Sequence, residues 1–102
     1  MNQLKQFPYQ HVLVLGLAKS GTAAAKVLLN NNRKVRVNDG KKEGNEQIAE
    51  ELKSMGAEVV IGSHPLSVLD EIDIIVKNPG ISYDQSLIKE AEKRKIPVIT
   101  TY

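Results

Sequence analysis

The sequence predicts an α/β chain: a doubly wound, five-stranded parallel sheet in the order 3-2-1-4-5, with helices on both faces. Three observations predict it. Five short runs (11–15, 34–38, 58–61, 72–76 and 96–99) are rich in Val and Ile and lack clean period-two alternation. Strands apolar on both faces belong in a parallel sheet covered by helices. Stretches with helical spacing separate most of these runs, which makes the connections right-handed crossovers. A glycine-bounded turn at 16–21 follows the first run, at the edge where open parallel sheets bind ligands.

Composition narrows the function classes. The 102 residues, 41% hydrophobic and 25% charged, suit one domain able to bury a core. The absence of cysteine removes a disulfide scaffold, a zinc finger and an iron–sulfur site. With 14 basic against 12 acidic residues, interleaved along the chain, no basic stripe forms to track a nucleic acid. The longest apolar run, 12–15, is far short of a membrane span, and MNQLKQFPYQ lacks the apolar segment of a secretory signal. The expectation is a cytoplasmic chain with no nucleic-acid partner and no membrane insertion.

The elements follow in order. Residues 1–10 form a lead-in, with Pro8 breaking any helix before the first strand. Segment 22–31 places Ala24, Ala25, Leu28 and Leu29 on one helical face, and 45–55 does the same with Ile48, Leu52 and Met55. Gly56 fits the position just past the end of that second helix. The connection 62–71 is the least regular: Pro65 is able to open a short helix through 66–69, and the segment fits one irregular turn equally well. Segment 84–95 carries Leu87, Ile88 and Ala91 on one face, Glu and Lys on the other, and Asp84 as a candidate cap.

Three loops at the carboxyl edge carry the candidate chemistry. The first, Gly16-Leu17-Ala18-Lys19-Ser20-Gly21, matches the outer glycines of the dinucleotide fingerprint GxGxxG but has Ala18 at the middle one. A methyl group there hinders close approach of a pyrophosphate, which weakens an NAD reading. The loop still directs the amides of Lys19, Ser20 and Gly21 to a helix N-terminus, a natural anion site, and adds a charge and a hydroxyl. A tight turn with close strand–helix packing is the competing structural role.

The second loop, Val37-Asn38-Asp39-Gly40-Lys41, puts Asp39 18 residues beyond Gly21. Dinucleotide domains place a ribose-binding acid near there, an acid that can equally accept from a base N–H. Asn-Asp-Gly is also strong turn chemistry by itself. The third, Lys77-Asn78-Pro79-Gly80-Ile81-Ser82, contains a Pro-Gly turn that leaves the Gly80 amide open to a ligand. It lies across the switch point from the first loop.

The other candidates point to structure. His11 and His64 have no ligand-spaced Cys or carboxylate around them, so metal binding is not expected. Ser20 lacks a GxSxG elbow, and no G-x-x-x-x-G-K-[ST] motif is present to hold ATP. The segment from Glu43 to Glu51, with its lysines, reads as a solvated helix face.

Taken in order and spacing, Val-Leu-Gly-Leu-Ala-Lys-Ser-Gly at 14–21, Val-Asn-Asp at 37–39 and Lys-Asn-Pro-Gly-Ile at 77–81 resemble a known family. They look like the amino-terminal domain of the D-glutamate-adding Mur ligases (UDP-N-acetylmuramoylalanine–D-glutamate ligases) of peptidoglycan synthesis. The resemblance spans essentially the whole chain, and the Gly-Leu-Ala-Lys-Ser-Gly loop is typical of Gram-positive members. It implies that residues 1–102 are a single Rossmann-like, UDP-substrate-binding domain. The family's central ATPase domain and carboxyl-terminal domain are absent from it.

The family's reaction uses ATP and Mg2+ to activate the substrate carboxyl, which the amine of D-glutamate then attacks. The resemblance therefore implies no catalytic residue, cofactor or metal in this chain. Carried over by position, Lys19, Ser20 and Gly21 would hold the diphosphate of UDP-MurNAc-L-alanine. Asp39 would accept from the uracil, Gly40 and Lys41 would flank it, and Asn78, Pro79 and Gly80 would form the loop over the nucleotide. Members often carry Thr-Arg after the aspartate, so Gly40-Lys41 departs from the pattern, and lysine cannot reproduce an arginine's planar stacking. Ala18, awkward for NAD, is ordinary in this family. The competing readings are an NAD-binding module of a dehydrogenase or regulatory protein, and a scaffold that retains no ligand.

Overall fold

The computed structural model describes residues 8–81 and 85–100. Strands β1 (His11–Leu15), β2 (Lys34–Asp39), β3 (Glu58–Ile61), β4 (Ile74–Lys77) and β5 (Val98–Thr100) form one sheet in the order β3-β2-β1-β4-β5. Every pairing is parallel. The crossovers are α1 (Lys19–Asn30), α2 (Glu46–Ser54), a 3-10 turn (Leu66–Leu69) and α3 (Ser86–Lys93). The expected strand order and helical layers are those observed, and of the two alternatives for 62–71 the short helix at 66–69, with Pro65 at its cap position, is the one found.

Alternate residues of each strand feed two separate cores. Val12, Val14, Val35, Val37, Ile74 and Val76 face α1 and α2, where Leu17, Ala25, Leu28 and Leu52 meet them. Leu13, Leu15 and Ile75 face the other way, against Val68, Leu69, Leu87, Ile88 and Ala91. Each such Val, Leu or Ile side chain taken fully out of water stabilises the fold by about 1.5–3 kcal/mol. The apolar runs showed no alternation because both faces of the central strands are covered.

All three helices close in one way. A left-handed residue (Asn32, Gly56 or Lys95) follows the last turn. The next amide then reaches back to a carbonyl five residues earlier: Arg33 to Leu28, Ala57 to Leu52 and Ile96 to Ala91. The last closure corrects one expected boundary. Ile96 belongs to the end of α3, so β5 starts at Val98 rather than at residue 96.

Strand β4 likewise starts at Ile74 instead of residue 72. Asp73 is engaged with the start of β1: its amide donates to the His11 carbonyl, and its Oδ2 accepts the amides of Gln10 and His11 at 3.1 and 3.0 Å. Helix α3 begins at Ser86 with Gln85 at its cap position, and the expected cap Asp84 lies outside the described residues. On the outer side of α3, Arg94 bonds Glu90 and Asp70, which hold its guanidinium above the ordinary arginine range. Among the described residues no helix is long and apolar enough to cross a membrane.

Candidate functional site: the carboxyl edge at the switch point

Strand β1 lies between β2 and β4, so the loops after these three strands converge at one edge. The loop after β1 is compressed against its neighbours. Gly16 has φ +100°, and a Cβ on it would stand 2.8 Å from the Asn78 Cβ. Its carbonyl lies directly beneath the first turn of α1, where a Cβ on Gly21 would fall 2.1 Å from that oxygen. Both positions therefore exclude any other residue, one by backbone conformation and by space, the other by space alone. Gly21 serves the close strand–helix approach.

Helix α1 starts at Lys19, three residues earlier than its apolar face suggested. Lys19, Ser20 and Gly21 thus form its first turn and not a loop ahead of it. The first helical bond of the ladder runs from the Thr22 amide to the Ala18 carbonyl at 2.9 Å. Ala18 offers no side-chain cap, and the first turn contains no acidic residue. The N-terminal positive end of this twelve-residue helix is therefore not neutralised by its own sequence.

Asp39 is tied into this loop. Its Oδ2 accepts the Leu17 amide at 2.7 Å and its Oδ1 accepts the Lys41 amide at 2.8 Å. The residue thus fills the turn role and also fixes where α1 begins. Each carboxylate oxygen keeps acceptor capacity beyond its one amide. Gly40 and Lys41 are exposed beside it.

The loop after β4 is organised by Asn78. Its Nδ2 donates to Ser20 Oγ at 3.3 Å, which joins the first and third loops across the switch point. Its Oδ1 accepts the Gly80 amide at 2.9 Å. That bond corrects one expectation: the Gly80 amide is already engaged and is not open to a ligand. Pro79 and Gly80 are exposed at the rim.

Two buried polar side chains, which the sequence reading did not single out, support the loops from below. Among the described residues these are Asn38 and Lys77, 0% and 2% exposed. Both pair with Leu15 of β1, so they share the α3-facing side of the sheet at its last layer. Lys77 Nζ donates to the carbonyls of Ile81 (2.7 Å) and Asn78 (3.3 Å) and braces the turn from below. Asn38 Nδ2 donates to the carbonyls of Val60 and Ser63, both at 2.8 Å, and holds the loop after β3. A polar residue at the inward register of a strand's last two positions was the available signal, since burial there requires partners.

His64 is one of those partners, with Nδ1 2.6 Å from Asn38 Oδ1. His11 sits at the opposite, amino-terminal end of β1. Among the described residues no group of three or more His, Asp or Glu could hold a metal ion.

Comparison with known proteins separates readings that the fold leaves together. Residues 10–100 match the family described as Mur ligase MurD-like, N-terminal domain. The UDP-N-acetylmuramoylalanine–D-glutamate ligase of Oceanobacillus iheyensis is 61% identical over 100 residues, covering 98% of this chain and 22% of that protein. The enzyme of the same name from Staphylococcus epidermidis is 55% identical over 91 residues, covering 89% and 20%. The chain thus spans about a fifth of the length of these curated relatives. Among solved structures, UDP-N-acetylmuramate–alanine ligase of Thermotoga maritima superposes with a TM-score of 0.75 at 17% identity, over 90% of this chain and 20% of its own. At that identity the likeness speaks for the fold alone. The match over residues 10–100 carries the assignment, and this chain belongs to the MurD-like family of Mur ligase N-terminal domains.

Proposed function

We propose that this chain binds the uridine diphosphate part of UDP-MurNAc-L-alanine, as the substrate domain of a cytoplasmic ligase that joins D-glutamate to that substrate in peptidoglycan synthesis. The observation that carries the reading is the start of α1. It has no capping side chain and no acidic first-turn residue, and it faces the Asn78 loop across the switch point. Such an end favours an anion, and the diphosphate is the anionic part of the substrate. Lys19 adds a positive charge there, Ser20 adds a hydroxyl, and Gly21 lets the turn sit tightly on β1.

At the base end, Asp39 would accept from the uracil with its remaining lone pairs, flanked by Gly40 and Lys41. Asn78, Pro79 and Gly80 would form the wall over the nucleotide through side chain and backbone surface, the Gly80 amide being engaged.

In this reading ATP and Mg2+ are held outside this chain. The phosphate-cradling motif G-x-x-x-x-G-K-[ST] is absent from the sequence. The described residues also gather no metal-ligand cluster. In the proposed reading both are held by the ligase's other domains, where ATP activates the substrate carboxyl, and this chain contributes binding without a catalytic centre. The NAD-module reading has Asp39 and the outer glycines in its favour, but Ala18 and the family match stand against it.

The test is an NMR titration of the chain with UDP-MurNAc-L-alanine, with NAD as control. Amide shifts at 17–21, at 39–41 and at Asn78 and Gly80 with the uridine compound alone are expected. Shifts with NAD in its place would overturn the reading.

A further inference from the structure

Asn78 belongs to the loop after β4, yet its side chain ends at the first turn of α1. Its backbone amide donates to the Leu15 carbonyl at 2.9 Å, so the residue starts from the end of β1. From there the side chain crosses Gly16. A Cβ on Gly16 would stand 2.8 Å from the Asn78 Cβ and 3.7 Å from its Cγ, so the missing side chain at position 16 opens the path to α1.

The orientation of the side-chain amide follows from its two partners. The Gly80 amide can only donate, and it lies 2.9 Å from one end, which must therefore be the oxygen. The other end, facing Ser20 Oγ at 3.3 Å, is the NH2 group. That assignment fixes the polarity of Ser20 in turn. A hydroxyl has one proton and two lone pairs, and left alone it rotates to donate or to accept. Because Oγ accepts from Asn78, its own proton points in another direction and is donated there. The ionised oxygens of a diphosphate only accept, so a hydroxyl held as a donor has the polarity they require.

We infer that Asn78 is a positioning residue for the diphosphate end of the crevice: reaching over Gly16, it orients the Ser20 hydroxyl as a donor to the anion. The residue stands in the wall over the nucleotide, but its polar end serves the diphosphate and not the base. The inference rests on the uridine diphosphate reading above and deepens it.

The experiment is calorimetric titration of UDP and of inorganic pyrophosphate into the wild-type chain, Asn78→Ala, Ser20→Ala and the double variant. Asn78→Ala should weaken both ligands by about three- to tenfold, the size of one hydrogen bond. The same change made in the Ser20→Ala chain should weaken them by less than about twofold further, because the hydroxyl it orients is gone. A penalty of equal size in both backgrounds would overturn the inference and leave Asn78 as the holder of its own turn.

Asn78→Asp separates the two ends of the side chain. It keeps Oδ1 for the Gly80 amide, but it replaces the NH2 group with an oxygen that draws the Ser20 proton to itself and sets a negative charge beside the anion. This chain should melt near the wild-type temperature and bind both ligands more than about tenfold more weakly. A folded Asp variant with wild-type affinity would overturn the inference. One readout needs no variant: on adding pyrophosphate to the wild-type chain, the side-chain NH2 resonances of Asn78 should shift, and stationary resonances would count against the inference equally. A wild-type chain that binds neither ligand would overturn the uridine diphosphate reading and this inference together. UDP binding that neither Asn78 variant weakens would overturn this inference alone.

Discussion

The carboxylate of Asp39 accepts the backbone amide of Leu17 at 2.7 Å, across 22 residues of sequence. The loop after β2 thereby fixes the loop after β1, and the position proposed for the base is mechanically coupled to the position proposed for the diphosphate. Leu17 is itself buried against the α1-facing core, so its amide has little access to water.

Asp39 should therefore matter to folding as well as to binding. Asp39→Ala leaves a buried amide without a partner and should cost about 1–3 kcal/mol in urea denaturation. Asp39→Asn keeps one acceptor oxygen and should cost about 1 kcal/mol or less. A comparison of the two variants for UDP against other nucleotides then measures recognition apart from stability, and loss of uridine preference in the folded Asn variant is the expected outcome.

Gly21→Ala should be among the most damaging single-methyl changes in the chain. The added carbon would fall 2.1 Å from the Gly16 carbonyl oxygen, which is backbone and has no rotamer to escape into. A loss of about 3 kcal/mol is expected, by the measure of overpacked cores. A melting temperature unchanged by the substitution would mean that α1 can slide away from β1.

Lys77→Met tests the brace beneath the third loop. Two carbonyls lose their charged donor, while the fold no longer has to bury an ammonium group. The two effects oppose each other, so global stability should change by only about 1 kcal/mol. The turn itself should loosen, and amide exchange at Gly80 and Ile81 should accelerate about tenfold in native conditions. Uniform exchange rates across the variant and the wild type would show that Asn78 alone holds the turn.

At the start of α1, Lys19→Ala and Ser20→Ala separate charge from hydroxyl. Lys19 is exposed, so its removal should leave stability within about 0.5 kcal/mol. Affinity for UDP should fall and depend less on salt, since an exposed cation acts through a screened field. Ser20→Ala removes the acceptor for Asn78 Nδ2 at 3.3 Å and should weaken UDP about three- to tenfold in calorimetry. Unchanged affinity in both variants would remove the anion site from the proposed function.

The architecture was legible because its causes are local and repetitive. Short Val- and Ile-rich runs without alternation require cover on both faces, and helical spacing between them supplies the cover, so strand order and the two cores follow. Boundaries shifted where a neighbouring element claimed a residue. Ile96 went to the close of α3, and Asp73 went to the amides at the start of β1.

The sequence by itself determined the sheet, its helices and which three loops meet at the carboxyl edge, and through the motifs at 14–21, 37–39 and 77–81 it carries the family. Only the tertiary structure decided which groups within those loops remain available. The Gly80 amide is taken by Asn78, the Leu17 amide by Asp39, and the space at Gly40 by His64. The physical reason is that secondary structure arises from periodic, short-range patterns written in the chain. Hydrogen-bond partners 22 or 26 residues apart are chosen by proximity in space, under the requirement that buried polar groups be paired.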